Sequence, residues 1–197
     1  MKLLSTAVLA LFAAAPAFAG TITIDFEAAP SFASVGSTYA ASGVNFGGAV
    51  QGLANDSFTT YFTNAPSPVG VMFVAPGGTA ADASMNVDGD FYGLSFYYSS
   101  ADASTDAVQV WSGTDGTGNL LASFSLVANA TLGCTDSAYC HWDQLSASFG
   151  SAARSVTFAD STAAAAFDNI GVIPEPSSVL LAGLALGAAF VTRRRAA

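Results

Sequence analysis

Short runs in which apolar and polar residues alternate fill the chain between residues 20 and 172, and they are separated by Gly, Pro, Asn and Asp. The first run, residues 21–27, places two isoleucines and Phe26 on one face and Asp25 and Glu27 on the other. A period of two residues is typical of a β-strand with one buried face. No stretch of this region has the 3.6-residue period of an amphipathic helix. The sequence therefore predicts an all-β fold.

Nine further runs of the same character follow the first one. They cover residues 43–46, 57–63, 70–74, 83–87, 91–98, 107–111, 120–127, 155–159 and 166–172. Asp88-Gly89 and Asp115-Gly116 stand between consecutive runs and predict two hairpin turns, because both residue types tolerate a positive φ. Many short strands without helices between them predict a single antiparallel β-sandwich or jelly roll. The predicted core is Ile22, Ile24, Phe26, Phe46, Tyr92, Leu94, Phe96, Val108, Val110, Leu120, Phe124, Leu126, Val156, Phe158 and Ile170.

The apolar excess of the chain lies at its two ends. Hydrophobic residues make up 52% of the 197 residues and charged residues 10%. Residues 1–19 contain Lys2, an apolar stretch at 7–15, and Ala17-Phe18-Ala19 before Gly20. This order predicts a secretory signal peptide that is cleaved between Ala19 and Gly20. Residues 20–172 then form one domain, which is long enough to bury a core.

The C-terminal residues predict a membrane anchor. Pro174-Glu175-Pro176 precedes an uncharged apolar stretch, and Arg193, Arg194 and Arg195 follow it. As a helix, residues 177–191 reach about 22 Å, against a hydrocarbon core of about 30 Å. Local bilayer thinning and snorkelling arginines accommodate this difference, so we predict a transmembrane helix at 177–192. The arginines place its end in the cytoplasm and the domain outside.

This tail resembles the PEP-CTERM sorting signal of Gram-negative bacteria. The shared features are the Pro-Glu-Pro, the pair Ser177-Ser178, the apolar helix and the arginine cluster, within residues 172–195. The resemblance implies export, a transient inner-membrane anchor, and processing by exosortase, a membrane-embedded cysteine transpeptidase. The sorting signal would then cover residues 173–197, and the periplasmic domain would pass to the cell surface or extracellular matrix. In the alternative interpretation, Pro174 and Pro176 simply begin a helix.

The two cysteines, Cys134 and Cys140, predict a disulfide, because an exported chain with an even pair meets an oxidising compartment. The alternative is a zinc or thiol site with the neighbouring His141. This alternative lacks a fourth ligand.

The domain also resembles the jelly-roll domains of PEP-CTERM proteins and, more loosely, carbohydrate-binding modules. The resemblance lies in residues 24–27, 108–113 and 167–170. It implies a structural calcium ion at Glu27 and Asp168, with Asp25 as a third ligand. The other interpretation is a soluble acidic surface, since Arg154 is the one base against thirteen acids between residues 20 and 172. The same imbalance excludes nucleic acid as a partner.

The residues predict binding or structure rather than catalysis. The chain contains one histidine and no motif that positions a nucleophile. The primary hypothesis is a noncatalytic exported protein of the surface or matrix. An alternative is a carbohydrate-binding module that contacts exopolysaccharide, since flat rings stack on sugars; the candidates are Tyr61, Tyr97, Trp111 and Trp142. A further alternative, ice binding, requires a flat repeated threonine array, which the sequence lacks.

Overall fold

Antiparallel strands make up the structure. A computed structural model describes residues 20–161 and 163–174. It is 50% strand and 4% helical. The predicted signal peptide, Glu175, Pro176, the apolar stretch and the three arginines lie outside the described residues. Within the part described, no helix has the length and apolar character needed to cross a membrane.

The strands differ widely in length. Two 3-10 turns, Ala40–Ser42 and Ala159–Ser161, lie in the connections. The strands are β1 (Ile22–Ile24), β2 (Val44–Phe46), β3 (Val50–Ala54), β4 (Gly70–Val74), β5 (Ser84–Ser100), β6 (Ser104–Trp111), β7 (Leu120–Leu126), β8 (Asp143–Thr157) and β9 (Ala165–Pro174).

All ladders between these strands are antiparallel, and they join into one sheet of order β3-β4-β9-β5-β8-β6-β7. β1 lies beside β9, and β2 lies beside β5. The long strands β5 and β8 connect two parts of the sheet. Before a register shift between Asn86 and Gly93, β5 pairs with β2 and the end of β8, and after it β5 pairs with the start of β8 and with β9. Such shifts mark β-bulges, which bend a strand.

The core shows that the two parts of the sheet face each other. The ring of Phe96 on β5 lies 5.2 Å from Phe124 on β7 and 5.8 Å from Phe167 on β9, although β7 and β9 are far apart in the strand order. Phe158 lies 5.0 Å from Phe167. Phe96, Phe158 and Phe167 are fully buried, and each burial contributes about 1.5–3 kcal/mol. The all-β antiparallel sandwich is thus confirmed.

One of the two predicted hairpin turns is correct. Asp115 and Gly116 have φ values of 54° and 70°, and they connect the antiparallel pair β6 and β7. Asp88-Gly89 is not a turn: both residues are exposed and lie inside β5, at the register shift. The Asp-Gly pair lies at a β-bulge in a continuous strand, where the sequence pattern had predicted a hairpin turn.

The predicted strand at 57–63 is wrong. Side-chain hydrogen bonds organise this segment instead: the Asn55 Oδ1 atom accepts from the backbone N–H groups of Tyr61 and Phe62 at 2.8 and 3.1 Å. Phe62 forms an isolated bridge with Tyr139. Two strands were not predicted, β3 and most of β8.

Most of the predicted core is buried, but three of its residues are not. Leu120 is 50% exposed, because it begins β7 at the rim of the hairpin. Tyr92 is only partly buried, and Phe91 occupies the core beside it, since the register shift changes which side chain faces inward. Ile22 is also only partly buried.

Candidate functional site

The first residues of the predicted sorting signal belong to the sheet. Val172, Ile173 and Pro174 end β9, and Val172 lies opposite Ile22 of β1. The other predicted sorting residues, Glu175, Pro176 and Arg193 to Arg195, lie outside the described residues. Ala19 of the predicted cleavage site also lies outside them.

Asp168 is a fully buried carboxylate on β9. Its Oδ2 atom accepts a hydrogen bond from the Ser67 N–H at 2.7 Å, and its Oδ1 atom accepts from the Ser67 hydroxyl and from the Asn169 N–H. Burial is the main cause that raises the pKa of Asp168 to about 6; the three donors lower this pKa, and the nearby charge of Glu27 makes a smaller contribution that raises it. No sequence pattern pointed to Ser67, which lies 101 residues from Asp168 along the chain.

Asp25, Glu27 and Asp168, here called the carboxylate cluster, share one neighbourhood. Burial raises the pKa of Tyr39, and the negative charges of all three acids raise it as well. The Glu27 Oε1 atom accepts from the backbone N–H groups of Val69 and Gly70 at 2.8 and 3.2 Å, so it fixes the entry into β4. The Asp25 Oδ1 atom accepts from the Glu27 N–H at 3.3 Å. The cluster therefore joins the first strand, the last strand and the segment before β4.

A bound calcium ion holds six to eight oxygens at about 2.3–2.6 Å, so its ligands lie close together. Among residues 20–161 and 163–174, one group of three acid, cysteine or histidine side chains has all its ligand atoms within 4.8 Å, namely Cys134, Asp136 and Cys140. Its sulfur atoms are joined in a disulfide and are therefore not thiolate ligands. The carboxylates of the cluster are used by backbone donors in this structure. Calcium binding by the cluster stays a prediction.

The predicted disulfide between Cys134 and Cys140 is present, with Cα atoms 6.1 Å apart. It closes the loop that carries Tyr139. The Tyr139 N–H donates to the carbonyl of Tyr61 at 3.2 Å, and the Tyr139 carbonyl accepts from the Thr63 N–H at 3.0 Å. The bridge thereby supports the contact between this loop and residues 61–63.

The four candidate sugar-stacking rings do not form one surface. The indole N–H of Trp111 donates to the Thr157 hydroxyl at 3.1 Å, beside the β6–β7 turn. Trp142 lies elsewhere, with its ring 6.5 Å from Phe62 and its N–H donating to the Thr63 carbonyl at 2.9 Å. Tyr97 is partly buried on β5, in register with Gln144 and Asp168.

Tyr61 lines a cleft of about 200 Å³. The aromatic cleft, as we call it, consists of Phe32, Leu53, Tyr61, Phe73, Tyr139 and Ala163. The ring of Phe32 lies 5.3 Å from that of Tyr61 and 6.1 Å from that of Phe73. Phe32 is 54% exposed and has a φ of 54°, a conformation that costs energy for a bulky residue.

Sequence reasoning missed Phe32, Phe73 and Tyr139 as cleft residues. A signal existed for Phe73, because alternation along the predicted strand at 70–74 turns it away from the buried Met72 and Val74. Phe32 and Tyr139 lie in loops, where alternation carries no information.

Comparison with known proteins gives one match to a family model and several solved structures of low similarity. No curated protein sequence matches the chain. The K2 cleaved adhesin domain of Lys-gingipain is 12% identical, with a TM-score of 0.48, over 78% of this chain and 99% of that chain. The K1 adhesin domain of Lys-gingipain from Porphyromonas gingivalis W83 is 13% identical, with a TM-score of 0.42, over 79% and 99%.

A carbohydrate binding module of lichenase 5A from Cellvibrio mixtus, in complex with cellotriose, is 12% identical, with a TM-score of 0.39, over 80% of this chain and 98% of that chain. At these values the likeness gives no information on what this chain binds. Residues 172–195 match the family described as the PEP-CTERM protein-sorting motif. The chain thus carries, from the end of β9 onward, the sorting motif of exported proteins that exosortase processes.

Proposed function

We propose that this protein is a noncatalytic β-sandwich that is anchored in the inner membrane, released by exosortase and delivered to the cell surface or extracellular matrix. The observation that carries the proposal is the sorting motif at residues 172–195, attached directly to the last strand of the sandwich. The noncatalytic part is supported by the setting of His141. Its Nε2 atom lies 3.1 Å from Asp143, which also accepts from Asn129, and no serine or cysteine nucleophile contacts this imidazole among the described hydrogen bonds.

Replacement of Pro174-Glu175-Pro176 by three alanines in the full chain tests the sorting step. We expect the variant to remain in the inner-membrane fraction at full length, because the extended junction outside the apolar stretch is lost. Fractionation and immunoblotting measure the result. Phe58→Ala is the matched control, since Phe58 is 95% exposed and outside the motif. Release of the triple variant at the wild-type rate contradicts the proposal.

The aromatic cleft favours a second candidate function, carbohydrate binding. Its partly exposed rings offer apolar faces, and the tyrosines add hydroxyl groups, a combination that suits the apolar face and polar rim of a sugar ring. The cleft lies on the same domain that the sorting motif would deliver to the outside. The occupant that we propose is a hexose unit of a matrix polysaccharide.

Affinity electrophoresis with hydroxyethyl cellulose and with exopolysaccharide from the producing bacterium tests this candidate. We expect retardation of the wild type by at least one of the two polymers and at least a tenfold loss of affinity in Tyr61→Ala, because one stacking ring is removed. Trp111→Ala is the control, since Trp111 lies at the β6–β7 turn. Equal loss in both variants, or no retardation of the wild type, contradicts carbohydrate binding at the cleft.

A further inference from the structure

The rings of the aromatic cleft stand at steep angles to one another. The ring plane of Phe32 makes an angle of 74° with that of Tyr61 and of 68° with that of Phe73. Tyr139 also lines the cleft, whose volume is about 200 Å³. Pockets for drug-sized ligands measure about 300–1,000 Å³, so this cleft suits one sugar ring or a smaller group. Rings at steep angles enclose a compact group, and aromatic cages of this kind bind ammonium groups.

The backbone around Phe32 holds its exposed ring in place. The φ of this residue is 54°, and its N–H donates to the carbonyl of Gly52 on β3 at 2.9 Å. A Cβ atom on Gly52 would lie 2.6 Å from the carbonyl oxygen of Pro30, so glycine allows this close approach. Strained residues that the surrounding structure keeps in place are concentrated at ligand-binding sites. The position of Phe32 is therefore better explained by a ligand than by core packing.

A negative charge lies beside the cleft. The N–H of Ala101 donates to the carbonyl of Ala164 at 2.8 Å, which brings the exposed Asp102 close to the cleft residue Ala163. Burial is the main cause that raises the pKa of Tyr139, and the negative charge of Asp102 raises it as well. The carboxylate is thus near enough to act on a ring of the cleft, and it would attract a cation that binds there.

Positive charge is scarce in the part of the chain that the structure describes. Arg154 is the single lysine or arginine among residues 20–161 and 163–174, and it pairs with Asp90 at 3.1 Å. None of the residues that line the cleft is basic. The thirteen acids between residues 20 and 172 create a field that attracts cationic ligands and repels acidic sugars. The charge of the domain therefore favours a sugar of positive charge.

We propose that the aromatic cleft binds the protonated amino group of a hexosamine unit in a matrix polysaccharide. This inference rests on the carbohydrate-binding candidate and adds the class of sugar. No hydrogen bond among residues 20–161 and 163–174 uses the hydroxyl groups of Tyr61 or Tyr139, so both are available to the hydroxyl groups of the sugar. A lysine side chain also carries an ammonium group, but it has no ring of hydroxyl groups that these tyrosines would bind.

Three β-1,4-linked trisaccharides that differ only in the group on C2 test the proposal. They are the trimer of glucosamine, with an amine, the trimer of N-acetylglucosamine, with an acetamide, and cellotriose, with a hydroxyl group. Isothermal titration calorimetry of the full chain in detergent, at about 0.15 M salt, measures the affinities. We expect the glucosamine trimer to bind at least about fivefold more tightly than the other two, because only its C2 group is a cation.

Equal or tighter binding of a neutral trimer overturns the inference and leaves carbohydrate binding at the cleft intact. Failure of all three trimers to bind also overturns it. The affinity electrophoresis of the carbohydrate candidate then shows separately whether that candidate fails. Trilysine that binds as tightly as the glucosamine trimer, with an affinity that Tyr61→Ala removes, assigns the cleft to a basic peptide and overturns the proposal.

Two pairs of variants separate binding in the cleft from general attraction by an acidic protein. Asp102→Asn should weaken the glucosamine trimer by about threefold and leave cellotriose unchanged. Asp88→Asn is its matched control, since it removes an equally exposed carboxylate at the register shift in β5. Tyr61→Ala should remove the preference for the amine, whereas Trp111→Ala should keep it. Equal losses within either pair show attraction without a site and overturn the proposal.

Discussion

Asp168 shows how one residue links the two ends of the domain. Its carboxylate is buried on the last strand and accepts hydrogen bonds from Ser67, whose hydroxyl also lies 2.9 Å from the carbonyl of Asp25 after the first strand. Burial disfavours the charged form more than these donors favour it, which raises the pKa to about 6 from its ordinary value of 3.8. A carboxylate with a raised pKa makes folding depend on pH.

We expect the wild type to lose stability, relative to Asp168→Asn, as the pH rises from 4 to 7. The Asp168 carboxyl binds its proton more tightly in the folded state than in the unfolded state. The stabilisation that results is complete below pH 3.8 and is lost as the pH rises through about 6. The full difference is about 3 kcal/mol. Urea unfolding at pH 4, 5, 6 and 7 measures it. The substitution by asparagine also removes one carboxylate oxygen that accepts a hydrogen bond from Ser67. This loss lowers the free energy of unfolding by about 1–3 kcal/mol at every pH. Identical pH profiles of the two proteins contradict the prediction.

Among the elements, the two Asp-Gly pairs have opposite roles. Gly116 has a φ of 70°, and a Cβ atom there would lie 2.7 Å from the Thr157 Cγ2 atom. Gly89 lies within β5, and a Cβ atom there would meet nothing within 4 Å. The glycine of the Asp-Gly pair is thus required in the β6–β7 turn and is not required within β5.

We expect Gly116→Ala to lower the free energy of unfolding by about 1–2 kcal/mol, because alanine is strained in the left-handed region. Gly89→Ala is its matched control and should change stability by less than about 0.5 kcal/mol. Thermal unfolding monitored by circular dichroism compares the two. Equal destabilisation by both substitutions would show that Gly89 also lies in a turn.

The loop closed by the disulfide carries Tyr139, which lines the aromatic cleft. Replacing Cys134 and Cys140 together by serine should lower stability by about 2 kcal/mol, because the unfolded chain regains the freedom of a closed loop. The double substitution should also weaken the binding of any ligand in the aromatic cleft, because Tyr139 lines this cleft and directly precedes Cys140. Denaturant unfolding with and without dithiothreitol is the measurement. The reductant should affect the wild type and leave the double variant unchanged; an effect on both contradicts the assignment.

The local sequence pattern correctly predicted those strands and turns whose structure depends on residues close together along the chain. β4 and the β6–β7 hairpin follow from alternation and from Asp115-Gly116. β8 was mostly missed because its first two-thirds are rich in small residues such as Ser146 and Ala147, which give weak contrast between the faces. The carboxylate cluster was predicted from the resemblance, whereas its partner Ser67 depends on tertiary contact. The same is true of Phe32 and Tyr139 in the aromatic cleft.

For the molecule as a whole, the acidic surplus is the main electrostatic feature. Arg154 pairs with Asp90 at 3.1 Å, and both side chains are 43% exposed, so this ion pair contributes little. The carboxylate cluster is where repulsion acts on a buried group. A divalent cation there would reduce this repulsion.

If the cluster binds calcium, removal of the ion lowers the melting temperature. We expect EDTA to remove about 2.7 kcal/mol of stabilisation from protein held at a free calcium concentration of 100 times its dissociation constant. Differential scanning calorimetry, with calcium added back, measures the effect. Glu27→Gln is the control and should melt at the same temperature with or without EDTA. Wild-type protein that is insensitive to EDTA retires the calcium prediction.

The pairing of β1 with β9 constrains the order of events during secretion. Ile22 is exported among the first residues of the domain, yet its partner Val172 follows only after 149 others. The sandwich therefore cannot complete its hydrogen bonding until the final strand has arrived, and such distant pairing is slow to form.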